Sequence, residues 1–323
     1  MLSQGAIGDD GKLAPDVAVE LIAVLAAVSE AQPLAMTIDD GRALPSGPLE
    51  AGHRSLQSGL RAWVERQTRL PLGYVEQLYT FADRDRAGST AQHAISVSYL
   101  GLTREQAASG ETQASWCSWY AYFPWEDHRA GLPPLIREIL QPGLKAWVST
   151  ASDRAIQRTR RQRAAMLFGF EEHDWNEELV LQRYELLYEA RLIPEALGGN
   201  ASTSKPASAT SDLLGQSMIL DHRRILATAI ARLRAKIKYH PVVFELLPDT
   251  FTLLQLQRCV EALAGRQVHK PNFRRLIEQQ ELVEETGETS QDTGGRPAKL
   301  FRFRRAVFAE RAIAGTKLPI SGA

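Results

Sequence analysis

The sequence predicts an α+β protein that contains a layered α/β domain, an all-helical insertion and a C-terminal module of helices followed by strands. Three observations support this division. Strand patterns and one amphipathic helix occupy the first 125 residues, and a region with only helical periodicity follows them. The C-terminal part repeats the helical pattern and ends in a strand in which Phe301 and Phe303 alternate with Arg302 and Arg304.

Length and composition indicate a globular protein. The 323 residues predict about two domains, and 44% hydrophobic with 24% charged residues exclude a disordered or fibrous chain. Two cysteines cannot form a disulfide framework, and no Cys/His cluster has zinc spacing, so we predict no bound metal. The N-terminus lacks a signal-peptide pattern, and the apolar run 17–28 is too short to span a bilayer. We therefore expect a cytoplasmic protein without a membrane contact.

The charge is divided unequally along the chain. The whole sequence has 38 basic and 38 acidic residues, but residues 218–323 hold 18 basic and 11 acidic ones, a net charge of +7. The part before residue 218 therefore has a net charge of −7. This basic C-terminal third of the chain is a candidate for nucleic-acid binding, although ordinary fluctuation of composition explains the asymmetry about as well.

The elements of the first part follow in order. The pattern predicts a strand pair over 18–37, a helix over 55–68 and two further strands over 74–82 and 94–102. Residues 133–196 show helical periods without a strand signal. Residues 198–211 lack bulky apolar side chains, which is typical of a mobile linker, and 221–238 forms a long amphipathic helix.

The C-terminal module has the element order of a winged helix-turn-helix. Thr252 is a suitable N-cap, Gly265 is a suitable terminator, and Pro271 fits the first turn of a second helix. A polar loop over 284–296 and a strand over 298–304 follow. This order favours DNA binding, with a protein-docking module as the alternative. The residues that we expect to contact DNA are Lys270, Asn272, Arg274, Arg275, Arg296 and Lys299.

Residues 43–81 resemble a Nudix box followed by a strand. A working box reads Gly-x5-Glu-x7-Arg-Glu-U-x-Glu-Glu-x-Gly-U, where U is aliphatic. The Gly, Glu, Arg, Glu and Glu-Glu positions fall here on Gly47, His53, Arg61, Ala62, Glu65 and Arg66. Moving the alignment by one residue places Trp63, Arg66 and Gln67 at the carboxylate positions. Mg²⁺ is bound through carboxylates, and at most one of the three carboxylate positions of the box keeps a Glu. We therefore expect no catalytic residue and no enzyme activity.

A degenerate Nudix domain before a winged helix resembles the Nudix-related transcriptional regulators of NAD metabolism. The matching segments are 70–83, 94–102, 221–237 and 251–303, which together make up 93 of the 323 residues. The resemblance implies a Nudix-like α/β/α sandwich with a helical insertion, followed by a winged helix-turn-helix domain. We place the Nudix-like sensor at 13–125, the insertion with its flexible linker at 126–212, the helix completing the sensor at 213–238 and the winged helix at 239–323. The insertion departs from shorter family members, and its role is open.

The resemblance also implies the activity. Family members are homodimeric repressors that bind a palindromic operator near NAD-synthesis genes and sense a NAD-related nucleotide, often ADP-ribose. No cofactor is implied. Arg42, Arg61, Glu76 and Gln77 lie where the nucleotide pocket would be lined, although each alone fits an ordinary surface or sheet position. The alternatives are a Nudix hydrolase acting on ADP-ribose or a nucleotide sugar, and a scaffold whose insertion recruits a partner.

Overall fold

The computed structural model describes residues 18–73, 75–82, 94–105, 114–197, 213–290 and 297–304. A mixed sheet of six strands forms the centre of the first part within these residues. The strands are β1 (Ala18–Ser29), β2 (Gln32–Thr37), β3 (Ser46–Pro48), β4 (Val75–Phe81), β5 (Ala94–Leu102) and β6 (Ser115–Ser118). Their order is β4-β5-β1-β2-β6, with β3 paired to β1, and β1 runs parallel to β5.

Alternation along β1 explains the two layers that cover the sheet. Leu21, Ala23 and Leu25 point to one face and pack against Leu60 and Val64 of helix α1 (Leu56–Thr68). The intervening residues of β1 point to the other face and join the larger core of the molecule. The predicted α/β/α sandwich is therefore confirmed.

Two strands were not predicted from the sequence. β3 contains three residues, one of them Gly47 and one Pro48, in a stretch whose composition indicates turns. β6 is four residues long and leads directly into the short helix α2 (Trp119–Tyr122), so its pattern is too brief to show a period. Both strands gain their order from the partners to which they pair, β1 and β2.

The insertion is helical, as its periodicity predicts. A π-helical segment (Ile136–Leu140) continues into α3 (Gln141–Ser149), and α4 (Arg154–Phe168) and α5 (Val180–Glu189) follow. Helix α6 (His222–Ile237) lies between the sheet and α5, as expected for the helix that completes the first domain. The predicted linker 198–211 lies outside the described residues.

The C-terminal module contains α7 (Leu253–Ala264), α8 (Lys270–Gln279) and the antiparallel strands β7 (Val283–Ser290) and β8 (Ala298–Phe303). Thr252 caps α7 in a capping box with Gln255, and Gly265 ends it with φ +71°. The expectation of a loop starting at residue 284 was wrong, because β7 continues to Ser290. Cross-strand pairs of Glu285 with Lys299 and of Glu284 with Arg302 stabilise this polar strand.

One continuous hydrophobic core joins these parts. It includes Val24 of the sheet, Leu187 of the insertion, Ile230 of α6 and Val260 of α7. The domain boundaries at 126, 213 and 239 therefore divide a shared core, and they stay predictions. None of the helices in the described part of the chain combines the length and the apolar character needed to cross a membrane.

Candidate nucleic-acid interface and sensor pocket

The exposed side of α8 carries three cations, most of them in the first half of the helix. Phe273 and Ile277 are buried and hold the helix against the core, which turns the opposite side outward. The exposed side chains include Lys270, Asn272, Arg274 and Arg275 and, near the end of the helix, Glu278 and Gln279. No ion pair joins any of these three cations to another described residue, so this surface is a cationic ridge that can meet phosphates and base edges.

The β7–β8 hairpin has a different charge pattern. The Nζ atom of Lys299 lies 2.9 Å from Oε1 of Glu285, and Arg302 pairs with Glu284. A phosphate would have to compete with these carboxylates for the two cations. Arg296 lies outside the described residues. The described cations of α8 are therefore free of carboxylate partners, and the DNA contacts of all six predicted residues stay predictions.

The C-terminal end of α7 is capped by residues from the rest of the protein. The last carbonyls of a helix have no partner within the helix, and here three of them accept hydrogen bonds from outside it. The donors are Tyr120 Oη to Ala262 at 2.6 Å, Arg234 Nε to Leu263 at 2.8 Å and His128 N to Gly265 at 2.7 Å. Burial raises the pKa of Tyr120 to about 12, so its hydroxyl is neutral and donates. The helix-turn-helix is thus bonded directly to the Nudix-like part of the protein.

A buried charge cluster lies beside this contact. The Glu126 carboxylate accepts hydrogen bonds from Nε of Arg183 and from Nη1 of Arg234, each at 2.6 Å. All three side chains are at most 1% exposed, and they come from the segment after α2, from α5 and from α6. Burial alone would raise the pKa of Glu126, but the two guanidinium groups outweigh it and hold that pKa below its ordinary value. This cluster connects the segment after α2 with α5 and α6.

Gly265→Ala is expected to lower the free energy of unfolding by about 2 kcal/mol or more. Its φ of +71° is strained for alanine, and the added Cβ would lie 2.3 Å from the carbonyl oxygen of Glu126. Urea unfolding followed by circular dichroism measures the loss. Gly52→Ala is the control, since no atom lies within 4 Å of its added Cβ. A loss at Gly265 no larger than that at Gly52 would contradict the close contact.

The four predicted pocket residues lie in separate surroundings. Arg42 pairs with Asp39 at 2.7 Å, and its carbonyl accepts from Ile219 just before α6. Glu76 pairs with Lys236 near the other end of that 16-residue helix, which is about 24 Å long. Arg42 and Glu76 are therefore not neighbours.

The remaining two residues lie toward the α1 side of the sheet. Arg61 donates to the carbonyls of Leu72 and Gly73, which fixes the segment entering β4. Gln77 is exposed on β4, where it is opposite Tyr99 of β5. The ligand-binding role of Arg42, Arg61, Glu76 and Gln77 stays a prediction.

The residues at the Nudix-box positions make structural contacts. A Cβ on Gly47 would lie 2.2 Å from the Trp63 ring, and the Arg66 guanidinium lies 4.2 Å from the centre of that ring. Gln67 accepts from Ser46 N at 3.1 Å and donates to Ser46 O at 2.9 Å, which a carboxylate could not do in both directions. Across the described residues, no three His, Cys, Asp or Glu side chains are grouped so that they could hold a metal ion.

The hydrogen bonds of Ser46 lead to a pair of polar residues that was not predicted from the sequence. The Ser46 hydroxyl donates to Oε1 of Glu20 at 2.9 Å, and Glu20 lies 4.0 Å from Nε2 of the buried His222. The signal in the sequence was an acid inside the apolar run 17–28. Trp119, Tyr122, Phe123 and Trp125, which follow β6, are buried in the core.

Comparison with known proteins identifies relatives of the chain. Residues 243–303 match the NrtR DNA-binding winged helix domain. The ADPR responsive transcriptional repressor NtrR of Acinetobacter baylyi is 40% identical over 86 residues, which are 27% of this chain and 34% of that protein. The chain thus matches about a third of the length of this relative.

Two solved structures share the fold over most of the chain. NrtR of Shewanella oneidensis, solved in complex with a 27mer DNA, has a TM-score of 0.52 at 19% identity, covering 88% of this chain and 93% of that one. A MutT/nudix family protein from Enterococcus faecalis has a TM-score of 0.51 at 14% identity, covering 91% and 88%. The predicted combination of a Nudix-like domain and a winged helix is confirmed.

Proposed function

Because the chain carries an NrtR winged helix domain behind a Nudix-like fold, we propose that it is a transcriptional repressor of NAD biosynthesis genes. It binds double-stranded operator DNA through α8 and senses a NAD-related nucleotide such as ADP-ribose in its Nudix-like domain. The observation that carries this proposal is the cationic surface of α8, where Lys270, Arg274 and Arg275 are exposed without an ion-pair partner among the described residues. Such a regulator acts in the cytoplasm, where the operator is.

The Acinetobacter baylyi relative supports ADP-ribose as the effector. The Acinetobacter baylyi protein is described as responsive to ADPR, and ADP-ribose is our expected effector for this chain. The direct hydrogen bonds from Tyr120, His128 and Arg234 to the end of α7 support coupling between the two functions. A shift of the sensor part on ligand binding would move the helix-turn-helix.

The protein acts as a homodimer in this proposal. One recognition helix contacts too few base pairs for selectivity, and a two-fold operator matches a two-fold protein. Sedimentation analysis at micromolar concentration is expected to show twice the chain mass of 35.8 kDa. A single species of monomer mass, with and without operator, would contradict the dimer.

We further propose that the Nudix-like domain is not an enzyme. In one alignment of the Nudix box Trp63, Arg66 and Gln67 stand at the metal-binding carboxylate positions, and all three make structural contacts. In the other alignment only Glu65 is kept. The expected result with ADP-ribose and Mg²⁺ is no release of AMP above background. Turnover above about 1 s⁻¹, which is ordinary for an enzyme, would favour the hydrolase instead.

A gel-shift titration tests DNA binding. The full-length protein is titrated against its own upstream region at about 100 mM salt, at which specific binding persists. Retardation of one palindromic segment, but not of a shuffled duplex of equal length, is expected. The absence of retardation for every upstream segment would contradict the proposal.

A further inference from the structure

Glu20 and His222 form a polar pair at the boundary between the sheet and α6. Glu20 lies on β1, and His222 is the first residue of α6. The imidazole is 1% exposed, while the Glu20 side chain is 30% exposed. The pair is therefore buried on the histidine side and open on the carboxylate side.

The hydrogen bonds of His222 define its tautomer. Nδ1 accepts from the backbone N–H of Leu44 at 2.9 Å, so the ring proton is on Nε2. Burial lowers the pKa of His222 to about 4, which keeps the ring neutral at pH 7. Nε2–H is a buried donor, and no atom of the described residues accepts a hydrogen bond from it. A buried donor without an acceptor is costly, so an acceptor at this point is strongly favoured.

The distance between the two groups indicates what fits between them. Nε2 and Oε1 of Glu20 are 4.0 Å apart, too far for a direct hydrogen bond. A single oxygen about 2.8 Å from both atoms would subtend an angle of about 90° between them. That oxygen must accept from Nε2–H and donate to the carboxylate. A hydroxyl group has both capacities, as has a water molecule, whereas a phosphate oxygen or a carbonyl has only the first.

The position of the pair connects it to the sensor. Glu20 is bonded to Ser46, and Ser46 is bonded to Gln67 on α1, the helix that carries the Nudix-box positions. On the other side, His222 begins α6, whose Arg234 donates to the end of α7. A ligand held by this pair would contact the helix that is bonded to the DNA-binding module.

We propose that Glu20 and His222 bind one hydroxyl group of a sugar-containing ligand, His222 donating to it and Glu20 accepting from it. This inference rests on the proposed function, which supplies the ligand class: a nucleotide with ribose hydroxyls. It assigns sugar recognition to two residues outside the Nudix-box segment.

Calorimetric titration of the full-length protein with ADP-ribose tests the assignment. Two variants remove the two sides of the site. His222→Asn keeps an acceptor for Leu44 N and lacks the Nε2 donor, and Glu20→Ala removes the carboxylate. Glu138→Gln, at an exposed position of the insertion, is the control. Thermal unfolding of each variant checks that the fold is retained.

Each single variant is expected to bind ADP-ribose about tenfold more weakly than the wild type, and the control equally well. Because both residues hold the same hydroxyl, the double variant should be little weaker than either single one. Among monodeoxy analogues of ADP-ribose, the one that lacks the bound hydroxyl should bind the wild type about tenfold more weakly than ADP-ribose does. The variants should bind this analogue and ADP-ribose with equal affinity. Operator affinity without nucleotide should not change.

Three results would overturn the assignment. Wild-type affinity in both single variants would show that the pair is outside the ligand site, with the proposed function intact. A double variant that binds ADP-ribose about a hundredfold more weakly than the wild type would show two separate contacts instead of one shared hydroxyl. No binding of ADP-ribose by the wild type would contradict both this site and the proposed effector.

Discussion

Glu126→Gln is expected to lower the free energy of unfolding by about 3–5 kcal/mol. The substitution keeps the size of the side chain and removes the one negative charge between Arg183 and Arg234, which are both fully buried. The two guanidinium groups would then lie in the core without a carboxylate between them. Removing one member of a buried ion pair leaves an uncompensated charge, which explains the large cost.

The effect of Glu126→Gln depends on pH in a defined direction. The pKa of Glu126 is held below its ordinary value in the folded protein, because Arg183 and Arg234 outweigh the opposing effect of burial. Its carboxylate therefore contributes stability above the unfolded-state pKa of about 4.3, and this contribution is lost as the pH falls through the folded-state pKa. The difference between wild type and variant should be largest near neutral pH and smaller in acid.

Urea unfolding at pH 7 and at pH 4 measures both effects. Glu138→Gln makes the same chemical change at an exposed position, and we expect it to stay within about 0.5 kcal/mol of the wild type. If Glu126→Gln does not fold at pH 7, its recovery on addition of operator DNA or ADP-ribose gives a second measure. Equal stability of the two variants would contradict the role of the buried cluster.

Arg275→Ala is expected to weaken operator binding about tenfold or more and to relax base preference at one position in each half-site. Arg275 follows the buried Phe273 by two positions, so its exposed side chain points away from the core. In the major groove its guanidinium can donate two hydrogen bonds to guanine O6 and N7, worth roughly 1–3 kcal/mol of discrimination. Fluorescence anisotropy with single-base operator variants gives both quantities.

Lys299→Ala is the matched control for Arg275→Ala. Lys299 is exposed on the hairpin and already paired with Glu285, so we expect it to contact phosphate at most. Removing the Lys299 side chain should weaken binding to all DNA sequences alike and reduce the dependence of affinity on salt. If Arg275→Ala kept affinity and base preference while Lys299→Ala lost both, the hairpin would be the reading element in place of α8.

The parts of the fold that were predicted correctly have strong local signals. The capping residue Thr252, the left-handed Gly265 and the spacing of Phe273 and Ile277 are visible in the sequence, and they define the helix-turn-helix. The strands with alternating residues, such as β5, were found for the same reason. Local periodicity was enough wherever an element has one buried side.

The features that were missed depend on distant contacts. β3 and β6 are too short to show a period, and the polar strand β7 is stabilised by cross-strand ion pairs. The cluster of Glu126 with Arg183 and Arg234 joins residues 57 and 108 positions apart. The sequence marks Glu20 as an acid in an apolar run, but only the tertiary structure places His222 beside it.

The central claim is that one chain couples nucleotide sensing to DNA binding. The most direct measurement is operator affinity of the full-length protein in the absence and in the presence of saturating ADP-ribose. Coupling of about 1–3 kcal/mol predicts a change of about 5- to 150-fold, and operator DNA must change the affinity for ADP-ribose by the same factor. Operator affinity that is the same with and without bound ADP-ribose would contradict the account.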